Sequence, residues 1–189
     1  MIDSSNSTAG EFISDDELTG QWTRGGPVDA ASLKNTAGAF PSGVTIITAC
    51  CGNKPIGLTI SSFTSVSLDP PLLLVCVART ATSLPALRMN APIGINILAR
   101  DQDWLAKRFA SRHEDRFSDV SYRSGPHGVP LLAGVAAWLD GHIARIYDGG
   151  DHLILLVRAH TAHRSDRAPL LYHSGAMHDW AAVALERAT

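Results

Sequence analysis

From residue 44 onward, short β-type runs broken by turn residues dominate the chain. Residues 44–49, Val-Thr-Ile-Ile-Thr-Ala, are a β-type run and read as a first strand. Gly52-Asn53-Lys54-Pro55 reads as a turn, leading into a second strand over 56–61. Pro70-Pro71 stops pairing ahead of a very apolar strand, 72–77. Residues 93–98 form another strand, and 136–147 a longer one. Gly149-Gly150 then turns the chain into 153–160. Most of these runs are apolar on both faces.

Helical spacing is sparse. Ser32 is placed to cap a short helix through Leu33, Ala37 and Phe40, which Pro41 ends. A second short helix is expected over 82–89. A third runs over 102–110, with Asp101 as its cap and Trp104, Leu105 and Phe109 on the apolar side. Strands and helices do not alternate, so a doubly wound sheet does not fit. The pattern predicts a mainly β protein, an antiparallel barrel with a few peripheral helices.

Residues 1–28 are rich in Ser, Thr, Asp and Gly without sustained periodicity. They read as a flexible tail with at most one docking turn around Phe12 to Trp22, and the folded domain is expected over 29–189. The chain has 189 residues, which suits one domain. Its apolar content of 45% excludes a wholly disordered or fibrous chain. Net charge is −2, but six acids against Arg24 in residues 1–29 leave the remainder at −2 + 5 = +3. That is too little for a nucleic-acid or anionic-membrane binder. Three cysteines without metal-type spacing, and a start with no basic or apolar leader pattern, predict a cytoplasmic protein without disulfides.

The densest polar feature is the stretch Thr59, Ser61, Ser62, Thr64, Ser65 and Ser67. Thr59 and Ser61 share a strand face, and Ser62 to Ser67 are expected in the following loop. Converging hydroxyls and loop N–H groups make a neutral anion cradle suited to phosphate. A solvated loop accounts for the same composition. No G-x-G-x-x-G occurs, and Leu58 stands where a P-loop needs lysine, so those nucleotide sites do not fit. Asp151-His152 follows the Gly-Gly turn. There His152 can serve a ligand, or stand exposed on a tight turn. Ser42 beside Gly43, Arg79 and Ser83 after the third strand, and Phe109 with Arg112 near a helix end complete the candidates. A metal site built from His160 and His163, or from His173 and His178, lacks a supporting carboxylate. A serine hydrolase using Ser42 lacks its G-x-S-x-G elbow.

Two blocks then carry a resemblance: residues 40–45, Phe-Pro-Ser-Gly-Val-Thr, and residues 57–71, from Gly57 through the hydroxyl run to Pro70-Pro71. With Asn96-Ile-Leu, Leu105 to Phe109-Ala110, Phe117, Gly128-Val-Pro-Leu, Gly150-Asp151-His152 and Pro169-Leu-Leu-Tyr-His, the chain over about 30–175 resembles the flavin reductase family with an FMN-binding split barrel.

The resemblance implies a Greek-key split β-barrel homodimer with flavin at the subunit boundary. It also implies an NAD(P)H:flavin oxidoreductase that supplies reduced flavin to a partner monooxygenase. Thr59, Ser61, Ser62, Ser65 and Ser67 would meet flavin phosphate, ribityl and ring edge, with Ser42 near the ring. Ala78, Arg79 and Ser83 would line the phosphate or adenine side, and Phe109 with Arg112 the cofactor tail. His152, with Asp151 and Tyr172 nearby, would contact the nicotinamide nucleotide. FAD is favoured over FMN by likeness to reductases of aromatic-oxidising systems. NADH is favoured over NADPH because no basic cluster lies beside the Gly-Asp-His turn. A flavin carrier or sensor, and a flavin-dependent oxidase acting directly on a small substrate, are the rival readings.

Overall fold

A computed structural model describes residues 27–112 and 115–179. The docking turn expected between Phe12 and Trp22, and most of the acidic tail, lie outside the described residues. Helix α1 (Ala30–Gly38) has no buried residue. Its cap differs from expectation. The Ser32 N–H donates to Asp29 Oδ1 at 2.7 Å, so Asp29 takes the place predicted for Ser32.

The described residues from Gly38 onward form one compact unit. Seven strands make its main sheet, in the order β3 (Lys54–Ile60), β2 (Thr45–Cys51), β6 (Pro92–Ile97), β9 (Ala137–Gly149), β10 (His152–Arg164), β5 (Pro71–Ala78) and β4 (Thr64–Leu68). The ladders are antiparallel throughout. β1 (Ser42–Gly43), β11 (Leu170–His173) and β12 (Ala176–Asp179) form a second small sheet. β7 (Tyr122–Ser124) and β8 (Pro130–Leu132) pair with each other.

Ser62, just past β3, rolls the main sheet onto itself. Its hydroxyl donates to the Cys76 carbonyl at 3.1 Å and accepts the Cys76 N–H at 2.9 Å, joining the end of β3 to β5 across the sheet. The interior is aliphatic, with Ile47, Val75, Val77, Ile93, Ile95, Ile143 and Leu155 all at 1% exposure or less. A second cluster lies under α2 (Asp103–Ala110), around Ile46, Leu98, Leu105 and Phe109. This explains why the central strands are apolar on both faces: one face fills the barrel and the other is covered.

Two helix expectations change. The segment 82–89 holds only a 3₁₀ turn, Leu84–Ala86, because Pro85 cannot donate within a longer helix. Asp101 does not cap α2, whose N-cap is Gln102; Asp101 instead accepts Arg167 Nη2 at 2.6 Å and 2.5 Å. The stretch 62–67 is also more ordered than a loop, since 64–68 is the edge strand β4.

Asn96 is fully buried and clips three elements together. Its Nδ2 donates to the Ile46 carbonyl at 3.1 Å and to Thr48 Oγ1 at 3.2 Å, and its Oδ1 accepts the Leu132 N–H at 2.8 Å. Asn96→Leu keeps the branched shape but adds bulk and strands these partners, so a loss of about 3 kcal/mol is expected. Denaturant unfolding monitors it. A change below about 1 kcal/mol would show that the clip carries little.

Candidate active site

One groove of about 1360 Å³ runs along β3 and crosses to the turn that carries His152. Its long wall is β3 and the residues after it. There Thr59 Oγ1 donates to the Ala106 carbonyl at 2.8 Å, holding the strand against α2. Gly57 is required at this wall, because a Cβ there would stand 2.5 Å from the Phe109 ring. That ring is fully buried and meets Phe117 edge-on at 4.9 Å, so it cannot swing aside.

The opposite wall is β5 and the loop after it. Ser83 is 6% exposed, lines the groove, and its Oγ has no hydrogen-bond partner among the described residues. A buried hydroxyl left unbonded in a groove wall calls for a ligand atom, and a phosphate or sugar oxygen serves. Volume, hydroxyl-rich wall and orphan donor together fit a dinucleotide-sized flavin.

The end of the groove is built by the β9–β10 hairpin. His152 opens β10 and pairs in register with Ala78. Its Nδ1 lies 2.7 Å from Asp151 Oδ1, and this hydrogen bond, with the imidazole charge, holds the Asp151 carboxyl below the usual carboxylate range. Arg79 braces the same turn. Its Nε donates to the Gly150 carbonyl at 2.8 Å, its Nη2 pairs with Asp148, and its main-chain N–H donates to the Asp151 carbonyl at 3.0 Å.

Of the residues singled out from sequence, Thr59, Ser61, Ser62, Ala78, Ser83, Arg112, His152 and Tyr172 line this one groove. Six do not. Ser42 pairs with Tyr172 behind it. Ser65 and Ser67 lie on the edge strand β4. Phe109 is core, Arg79 is committed to the turn, and Asp151 reaches the groove through His152. Lys54, Thr80 and Arg116 line it without having been singled out. Arg116 donates to the Gly57 carbonyl at 2.8 Å across 59 residues of chain, a contact no local pattern announces.

An antiparallel split barrel with a nucleotide-sized groove between a hydroxyl-rich strand and a Gly-Asp-His turn defines a flavin-handling class of protein. The chain belongs to the flavin reductase like domain family, which matches residues 37–181. It is 44% identical over 138 residues to the stachydrine N-demethylase reductase subunit of Rhizobium meliloti, covering 72% of this chain and 60% of that protein. It is 38% identical over 151 residues to an FMN reductase (NADH) of Agrobacterium fabrum, covering 80% and 86%. The solved structure of a Streptomyces globisporus NADH:FAD oxidoreductase with NAD and FAD fragments superposes with a TM-score of 0.76 at 37% identity, over 82% of this chain and 94% of that one. The chain spans about half to three-fifths of the length of two Rhizobium meliloti relatives, 48% of one and 60% of the reductase subunit above.

Proposed function

We propose that this protein is an NADH-dependent flavin reductase that releases reduced flavin to a partner monooxygenase. The observation that carries the reading is the single groove joining Thr59, Ser61 and Ser62, the orphan Ser83 hydroxyl and His152. When bound, the flavin supplies the acceptor for hydride from the nicotinamide. The chain's own part is to bind and orient. Ser83 and the β3 hydroxyl wall receive the flavin, and Arg112 stands at the groove edge for its tail. His152, held by Asp151, receives the nicotinamide nucleotide, with Tyr172 beside it.

NADH is proposed over NADPH because Arg79, the basic residue bonded to the Gly-Asp-His turn, already pairs with Asp148 and the Gly150 carbonyl. FAD is the proposed flavin, which the similarity to an NADH:FAD oxidoreductase supports; FMN is the alternative. A homodimer is part of the proposal. The edge strand β4 supports it by exposing Leu68 at 94% and Val66 at 49%. A cytoplasmic setting is supported by the unpaired Cys50, Cys51 and Cys76. Among the described residues no helix is long and apolar enough to cross a membrane.

The test follows NADH absorbance with the purified protein, with and without added FAD or FMN. NADH loss that needs added flavin is expected, with a micromolar flavin dissociation constant, about −8 kcal/mol. A yellow protein that leaves NADH untouched would replace this reading by a flavin carrier or a substrate oxidase.

A further inference from the structure

The half of the β9–β10 hairpin remote from the groove carries a histidine cluster that the reductase reading does not use. His160 is the extra residue of a β-bulge there: Ala159 pairs with Gly141 and Thr161 with Asp140, and nothing stands opposite His160. A bulge re-aims the side chain it carries. His160 Nε2 comes 2.6 Å from His142 Nδ1, with ring centroids 4.8 Å apart. An imidazole nitrogen stands about an ångström from its ring centre, so both nitrogens lie on the line joining the rings. This is an edge-to-edge N–H···N bond. Nitrogens this close leave no room for a metal ion between them, since zinc alone needs about 2 Å to each.

His127 completes the cluster from the turn between β7 and β8. Its ring centroid lies 4.9 Å from that of His160. Its main-chain N–H donates to the Asp140 carboxylate at 3.2 Å, and its Nδ1 bonds the same carboxylate. Asp140 is fully buried, and these two contacts tie the turn to β9. The groups acting on His142 are His160 and Arg158 from β10 and His127 from the turn; β6 sets the neutral Pro92 opposite it.

We propose that His142, His160 and His127 form a pH-sensitive latch that clips the turn around residues 125–128 to the bulged hairpin. With one shared proton or none, the His142–His160 pair keeps a bare nitrogen as acceptor and the rings stay together. A second proton removes the acceptor and sets two cations edge to edge beside Arg158, which drives His160 toward His127 and loosens the turn. Burial first, then the neighbouring cations, hold His142 below the ordinary histidine range. The sign follows: the unfolded chain takes this proton at higher pH than the folded one. The latch therefore contributes fully above the unfolded value of about 6.5 and is lost as pH falls below it.

Histidine-ring NMR titration and amide exchange, on the full chain and on His160→Gln, test the proposal. In the unaltered protein His142 should titrate in a lower step, below the ordinary histidine range. Protection of the Gly125 and Gly128 amides, bonded to the Val129 and Gly125 carbonyls at 2.7 Å and 2.9 Å, should fall about tenfold across the lower step after correction for intrinsic exchange. That fall is a loss of about 1.4 kcal/mol of local stability. In His160→Gln the His142 step should move up toward the ordinary range and the fall should vanish. His160 is exposed and far along β10 from the groove, so NADH oxidation at neutral pH should stay within about twofold and report an intact fold. An unchanged His142 titration in the variant, or protection that ignores the lower step, would overturn the latch.

Discussion

Gly141→Ala should cost at least about 3 kcal/mol, more than any other glycine-to-alanine change in the barrel. The added Cβ would overlap the Arg158 carbonyl oxygen and stand 3.0 Å from the Arg158 carbonyl carbon and 3.1 Å from Ala159 Cα. Each of these atoms is main chain, in the strand that pairs with β9. No rotamer change relieves such a clash; the two strands must part at the centre of the seven-stranded sheet. The control is Gly128→Ala. Gly128 has φ +79° but open space around its missing Cβ, so only left-handed strain of about 1–2 kcal/mol applies. Denaturant midpoints with unchanged m-values give both numbers. A smaller loss at Gly141 than at Gly128 would mean that the hairpin does not close as tightly as the bulge requires. The same substitution bears on the histidine latch, because the bulge beside Gly141 is what aims His160.

The barrel was legible because its strands are bounded by strong local punctuation. Gly52-Asn53 and Gly149-Gly150 mark hairpins within a residue or two of their observed turns. The weaker strands were not. β1, β7, β8, β11 and β12 have four residues or fewer, too short for a period to show; β1 pairs with the distant β11, as Gly43 does with Leu171, and the others close short hairpins. β4 is likewise hidden inside the hydroxyl run. Ser and Thr read as loop formers, yet the neighbouring β5 ladder makes 64–68 an edge strand, and Ser65 and Ser67 are not among the residues lining the groove. Ser62 illustrates a second limit. Its residue type announced a polar role, but its hydroxyl closes the sheet through Cys76, a contact set by barrel curvature. Arg79 likewise read as a phosphate ligand from its place after a strand; its pairing with Asp148 of the β9–β10 hairpin is a contact no local pattern announces. Local pattern locates side chains along the chain. Competition for those side chains is settled by packing.

His152→Ala is the substitution expected to affect turnover most selectively. KM for NADH should rise about tenfold, the loss of one hydrogen bond worth about 1.4 kcal/mol, with the flavin dissociation constant unchanged within about twofold. The asymmetry follows from position. His152 stands at the hairpin end of the groove, across from Ala78, whereas the residues proposed to receive the flavin lie on β3, just after it and in the loop of Ser83. The ring is also held by two features independent of any ligand: the 2.7 Å bond to Asp151, and the Arg79 contacts that fix the turn at Gly150. Asp151→Asn should therefore give a smaller KM effect of the same kind, because the ring keeps its place in the strand but loses its orienting carboxylate. Steady-state NADH kinetics at saturating flavin, paired with flavin titration by fluorescence quenching, separate the effects. NADH kinetics unchanged in His152→Ala would remove this histidine from the nicotinamide site. A parallel loss of flavin affinity would move it to the flavin side of the groove, where the orphan Ser83 hydroxyl already waits for a partner.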